Sequence, residues 1–194
     1  MGTALRVLLP RMVGELPFDI HMFRGKDDLI RKLPGRLRGY AGWARLVELA
    51  IVVVVDRDDA DCRTLKARLV EAIPVGPALD DFSARNPQLG GRILNRIACE
   101  ELEAWFLGDE PAVRRAYPRV PTFAARARFR DPDAVQGGTW EALEQLLQSA
   151  GYHLGGLPKP AAAEAIAPHM NVEQNRSISF CQFRDGVRRL VGAA

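Results

Sequence analysis

Apolar and polar positions along the chain follow two periods, and the clearest pattern sits near its middle. Residues 51–55, Ile-Val-Val-Val-Val, form an unbroken β-branched run. Such a run predicts a strand buried on both faces, as in a parallel sheet under helices. Residues 3–9 read as a helix with Leu5, Leu8 and Leu9 on one side and Pro10 near its end. Residues 18–23 alternate as a strand. Residues 28–46 have helical spacing broken at Pro34-Gly35, which predicts two short helices. Leu65, Leu69 and Ile73 mark a helix over 62–73, and the Pro, Gly, Asn and Asp content of 74–91 predicts a loop. A strand over 93–99 and a helix over 100–107 follow. Residues 118–138 read as an irregular basic connection and 139–150 as a helix carrying Leu143, Leu146 and Leu147. Two helices close the chain. The last has Ser179 as N-cap, Gln182 three residues on, and Phe180, Phe183, Val187, Leu190 and Val191 along one face.

Helices alternating with apolar strands up to residue 99 imply βαβ units and a parallel sheet. The remainder is mainly helical. The division that follows is an α/β core over 1–110 and a helical extension over 111–194, packed as one domain. At 194 residues and 47% hydrophobic composition the chain can bury one good core. No apolar run approaches the roughly 20 residues of a membrane span and no secretory signal opens the chain, so a soluble cytoplasmic protein is expected. Cys62, Cys99 and Cys181 are far apart and odd in number, which predicts buried, reduced thiols.

Chemistry concentrates where the apolar run ends. Asp56, Asp58, Asp59 and Asp61 place four carboxylates in six positions at the carboxyl end of a strand, where open α/β sheets put ligands. The pleat turns Asp56 and Asp58 to the same side, so the pair is a candidate site for a divalent cation. The competing reading is helix capping, which Asp59 or Asp61 could supply. An EF-hand fails, because its sixth position would be Asp61 and its twelfth Ala67. Glu100, Glu101 and Glu103 open the next helix, where acids complement the dipole. Glu101 or Glu103 could instead add a carboxylate to Asp56 and Asp58 and hold Mg²⁺ or Mn²⁺ for phosphoryl transfer. Trp105 and Phe106 are core residues or a base-stacking platform.

Net charge is +3 and the pI is near 9.0, but the distribution is more telling. Residues 24–45 carry Arg24, Lys26, Arg31, Lys32, Arg36, Arg38 and Arg45 against Asp27 and Asp28, and 114–130 carry six Arg and no acid. Basic segments flanking an acidic centre suit a metal site working on a phosphate backbone; solvated helix faces would give the same count. His21, His153 and His169 show no zinc spacing, and neither a P-loop nor a Gly-x-Ser-x-Gly elbow is present. Asp56-x-Asp58 is also similar to aspartyl phosphatases of the haloacid dehalogenase type, whose small-residue and Thr continuation is absent from Asp59-Ala60-Asp61.

The order of elements around Asp56-Arg57-Asp58 resembles the Toprim fold of topoisomerases, primases and overcoming-lysogenization-defect nucleases. Gly25-Lys26-x-Asp28-Leu29, Asp56-Arg57-Asp58-Asp59, Glu101-Leu102-Glu103-Ala104-Trp105 and Arg176-Ser177-x-Ser179-Phe180 resemble a bacterial Toprim-related family of unknown function, over nearly the whole chain. Members are often encoded beside an ATPase, and one is similar to the second component of an abortive-infection phage-defence pair. The resemblance implies an Asp-x-Asp metal site at Asp56 and Asp58, and it implies a Toprim-like sheet flanked by helices with a helical carboxyl-terminal extension. Toprim domains open with a strand ending in a Glu. This chain starts inside the helix expected after it, so the first strand counts as missing. Two functions follow: a Mg²⁺-dependent nuclease-type effector, with Asp56, Asp58, Glu101 and Glu103 in its catalytic centre and Arg24, Lys26, Lys32, Arg36 and Arg38 on nucleic acid; or a catalytically silent nucleic-acid-binding or regulatory subunit of an ATPase partner.

Overall fold

The structure, a computed structural model, describes residues 1–43, 49–57, 60–73, 93–98 and 101–192, the side chains of 41–43 excepted. The fold is mixed α/β and rich in helix, with a short two-stranded parallel sheet. It separates into two compact units, one of Met1–Ile20 with Ala98–Arg184, the other of His21–Ile97 with Asp185–Ala194. No helix among the described residues is long and apolar enough to cross a membrane.

The second unit holds the sheet, β1 (Ile51–Asp56) and β2 (Ile93–Ala98), with α2 (Lys26–Trp43) and α3 (Cys62–Glu71). Leu29, Leu33 and Leu37 recur every four residues along α2 and are buried with Val53, Val55, Leu65, Leu69, Ile73 and Ile93 in one cluster. This stripe explains why α2 is a single helix, and not the two short ones that Pro34-Gly35 predicts. A proline inside a helix costs about 3 kcal/mol. Burying three leucines returns roughly 1.5–3 kcal/mol each, so packing outweighs the break.

The valine run behaves differently from its expectation too. Ile51, Val53 and Val55 share the face that joins the cluster, whereas Val52 and Val54, on the opposite face, are only half-buried. Both helical stripes feed one side of β1, so the strand is buried on one face and half-buried on the other. β2 is more enclosed, with Ile93 and Leu94 on opposite faces and neither exposed.

The first unit is helical: α1 (Gly2–Val13), α4 (Glu103–Leu107), α5 (Glu110–Ala116), α6 (Thr139–Ser149), α7 (Lys159–Ile166) and the start of α8 (Ile178–Val191), with short 3₁₀ turns at Ala127–Phe129, Pro132–Ala134 and Ala167–His169. α1 runs past Pro10 and packs against α7 and the 167–169 turn through a buried stripe that includes Ala4, Leu5, Leu8 and Met12. Trp105 is fully buried, stacked 5.0 Å from Phe183 and edge-on to Phe180 at 5.4 Å. Phe106 is fully buried as well, so both are core residues and not a stacking platform.

Residues 18–23 form no strand. Alternation alone cannot make one, because a strand needs a neighbour for its N–H and C=O groups; no ladder forms here among the described residues, and Phe18 and Met22 remain exposed. Cys62 and Cys181 are half-buried thiols where full burial was expected, and Cys99 lies outside the described residues. The expected loop over 74–91 also lies outside them.

Candidate functional site

The valine run delivers Asp56 to the carboxyl end of β1, half-buried. Of the other three carboxylates, Asp61 is a helix cap: its Oδ1 accepts from the Thr64 N–H at 2.8 Å and the Thr64 hydroxyl at 2.9 Å. Those bonds lower its pKa below the ordinary aspartate value, the backbone bond most. Asp58 and Asp59 lie outside the described residues, so the second half of the proposed Asp-x-Asp pair has no geometry here.

The start of α2 is tied to this strand end. Lys26 Nζ donates to the carbonyl of Arg57 at 3.1 Å, which sets an ammonium group one residue from Asp56. Asp27 pairs with Arg68 of α3 at 2.9 Å. Asp28 is ringed by cations: Lys32 Nζ lies 2.8 and 2.9 Å from its two oxygens and Arg31 Nη2 lies at 2.5 Å, while the backbone N–H of Arg24 donates at 3.2 Å. The Lys32 bond, then those of Arg31 and Arg24, holds the Asp28 carboxyl well below the usual range. Of the basic residues read as phosphate contacts, Lys26 and Lys32 are therefore already engaged within the unit. Arg24 is exposed, and Arg36 and Arg38 are exposed without a hydrogen bond or ion pair among the described residues.

The acids of 100–110 belong to the first unit, and most hold backbone. Glu101 accepts from the Trp140 N–H at 3.1 Å and pairs with Lys159 at 2.5 Å, the lysine lying 5.1 Å from the Trp140 ring centroid. Glu103 is buried at the start of α4. Asp109, 3% exposed, caps α5 through the Ala112 N–H at 3.0 Å and takes the Asn171 N–H at 2.6 Å on its other oxygen. Glu110 accepts the N–H groups of Phe123 and Ala124 at 2.7 and 2.5 Å. Among the described residues no group of three or more His, Cys, Asp or Glu gathers in a way that could hold a metal ion.

One constellation was not singled out as a site from the residues. Asp133 accepts from the hydroxyls of Ser177 and Ser179 at 2.8 and 2.7 Å and from the Ser179 N–H at 3.0 Å, and Ser179 Oγ accepts from the Trp105 indole at 3.0 Å. Ser177 Oγ also takes the Phe180 N–H at 3.1 Å. The cap of α8 is accordingly Ser177 and not Ser179, whose oxygen the Trp105 and Asp133 bonds already occupy. Asn175 donates to the Trp105 carbonyl at 2.8 Å, and the Arg176 side chain reaches the carbonyls of Leu107, Phe129 and Arg130 at 3.1–3.2 Å. A side chain at Gly108 would collide with Asn175 and stand 2.8 Å from the Ser177 nitrogen, so this close approach needs glycine. The Arg176-Ser177-x-Ser179-Phe180 motif and Trp105 thus form one clamp, in which Ser177, Ser179, Phe180 and Trp105 are buried and Arg176 is exposed. Asp133, inside a segment read as irregular, carried no periodicity that could reveal it.

Over residues 1–188 the chain matches a family described as "Domain of unknown function (DUF4276)", and it belongs to that family. No curated protein and no solved structure matches it.

Proposed function

We propose that the chain is a Toprim-like, Mg²⁺- or Mn²⁺-dependent effector that acts on the phosphodiester backbone of nucleic acid, in phage defence with an ATPase partner. The observation that carries this reading is the Lys26 bond to Arg57, which ties the basic helix α2 to the strand end bearing Asp56 within one unit. Asp56 and Asp58 would hold the cation. Carboxylate oxygens two positions apart are the donors a hard cation prefers, and a strand end into an α/β turn is where such folds bind ligands. When bound, the cation supplies Lewis-acid stabilisation of the charge that develops on phosphate. Arg24, Arg36 and Arg38 would engage flanking phosphates, which fixes position without reading sequence.

A second reading is favoured by Glu101. Its carboxylate accepts from Lys159 and Trp140, so it is committed to the fold in a way a general base is not. On this reading the chain is a silent nucleic-acid-binding or regulatory subunit. Calorimetric titration of Mn²⁺ into the native protein, Asp56→Asn and Asp58→Asn decides the metal question. Uptake lost in both variants supports the site; equal, negligible uptake in all three rejects it. Metal uptake without cleavage of DNA or RNA in Mg²⁺ or Mn²⁺ selects the silent subunit.

A further inference from the structure

Residues 114–130 hold six arginines and no acid, and in the first unit the second half of this stretch is wound into one short, fixed turn. Arg126 opens the 3₁₀ turn Ala127–Phe129 and Arg130 closes it, the Phe129 N–H donating to the Arg126 carbonyl at 2.9 Å. At about 2 Å of rise per residue, Arg126, Arg128 and Arg130 fall within about 8 Å of chain. Phe123 and Phe129 anchor the turn, both buried and edge-on at 5.1 Å. Glu110 holds the N–H groups of Phe123 and Ala124, and Arg176 donates to the carbonyls of Phe129 and Arg130, each at 3.2 Å. A fourth guanidinium thereby joins the other three at the carboxyl end of the turn.

Acids are near, yet none pairs with these cations among the described residues. Asp131 turns an oxygen to the Asp133 N–H at 3.0 Å, and Asp133 is taken by the hydroxyls of Ser177 and Ser179. Arg126 and Arg130 are exposed and make no side-chain hydrogen bond or ion pair among the described residues. Arg128 meets neutral groups, the Gln145 side-chain oxygen at 2.7 Å and the Phe129 ring at 5.9 Å. Cations this close lie within one Debye length, about 10 Å at 0.1 M salt, so their repulsion is left for an external anion to offset. A protein partner would need apolar or aromatic anchors. What residues 121–130 expose besides arginine is Pro121, Thr122, Ala125 and Ala127. A phosphodiester backbone needs only charge and donors, and a duplex carries one charge per about 1.7 Å of its axis, a density that guanidinium groups spaced along about 8 Å can meet.

We propose that Arg126, Arg128, Arg130 and Arg176 form a surface on the first unit that takes the phosphate backbone of a nucleic acid. It rests on the preceding reading for the class of ligand alone, and no residue of α2 or of the Asp56 strand end belongs to it.

The test uses the full chain with chelator present, so that no metal contributes, and follows the anisotropy of a labelled duplex DNA and a labelled RNA across salt concentrations. Arg126→Gln with Arg130→Gln should leave the circular dichroism spectrum and melting temperature native, because both side chains are exposed and unbonded. The slope of log affinity against log salt should flatten by about 0.9 per lost contact on the duplex. Arg6→Gln with Arg11→Gln removes the same charge from exposed positions of α1 and should keep the native slope. A native slope in the turn variant overturns the proposal. So does an equal fall in the α1 variant, which reports net charge alone. Polyglutamate bound as tightly as the duplex, and weakened by the same substitutions, overturns it in favour of an acidic protein partner. Arg36→Gln with Arg38→Gln keeps the two readings apart: a slope lowered in the turn variant and native in the α2 variant upholds this surface while removing α2 from the backbone, and the reverse removes this surface alone.

Discussion

The two units put several of their charged residues to different uses. In the first, Asp109, Glu110 and Asp133 turn their oxygens to backbone N–H groups and hydroxyls, and each closes a contact between segments distant in sequence. In the second, Asp27 and Asp28 meet cations at the surface of α2, and Arg36 and Arg38 face solvent. Acids spent on backbone donors hold a fold; under the proposed function, cations left in water are the ones that meet an external phosphate. The contrast gives structural work to Glu101, Asp109 and Glu110; under the proposed function the strand end of the second unit, with Asp56, is the place for chemistry.

The contrast breaks most directly at Asp109. Replacing it with alanine removes the cap of α5 and orphans two N–H groups around a residue that is 3% exposed. A loss of about 3 kcal/mol in urea denaturation is expected. Asp27→Asn in the second unit should change stability by less than about 0.5 kcal/mol, since its pair with Arg68 is exposed. Similar losses in both would erase the distinction.

Pro34 tests how firmly packing dictates α2. If the leucine stripe forces the helix through a residue that opposes it, Pro34→Ala restores an N–H donor and removes a ring clash. Stability should rise by roughly 1–2 kcal/mol, less than the full helix-interior penalty because alanine also frees the unfolded chain. A drop in the urea midpoint would mean that the proline is packed favourably and the stripe is not what holds the helix.

Much of the molecule was readable from period and punctuation. The Leu65 and Leu69 spacing located α3, Leu143, Leu146 and Leu147 located α6, and the β-branched run located β1. Errors arose where one local signal had to be weighed against a distant contact. Pro34-Gly35 reads as a break until the cluster behind Leu33 and Leu37 is known. Alternation over 18–23 reads as a strand until its neighbour is sought. Ser179 reads as a cap until Trp105 and Asp133 claim its oxygen. The site was legible only in part: the sequence places Asp56 at a strand end, but not the Lys26 bond to Arg57, nor the Arg176 bonds to Phe129 and Arg130, all of which join segments at least 31 residues apart.

The acid limb of stability sharpens the comparison in the second unit. Asp28 is more acidic folded than unfolded, because Lys32 and Arg31 favour its charged form. A carboxyl lowered in this way stabilises the fold above its unfolded pKa, near 3.9, and the contribution is lost as pH falls below that value toward the folded one. Asp28→Asn should therefore be less stable than the native chain near neutrality, with the gap closing below about pH 4. Urea midpoints measured across that interval check it; a gap that stays constant with pH would remove the ion cluster from the account and leave only a packing effect.

The smallest expected effect on stability comes from the residues that should matter most to a partner. Arg36 and Arg38 are exposed and make no bond within the described residues, so Arg36→Gln with Arg38→Gln should shift the melting free energy by no more than about 0.5 kcal/mol. Nucleic-acid binding, if α2 faces the backbone, should weaken for every sequence alike, and the salt dependence of the affinity should flatten by about 0.9 per lost phosphate contact on duplex DNA. Lys32→Gln provides the internal contrast, because its ammonium already sits between the two Asp28 oxygens and releases fewer counterions on binding. A salt-titrated filter assay in which both variants keep the native slope would return α2 to a solvated surface; a slope lowered by the Lys32 change alone would place the contact at the amino-terminal end of the helix, beside the Lys26 bond to Arg57.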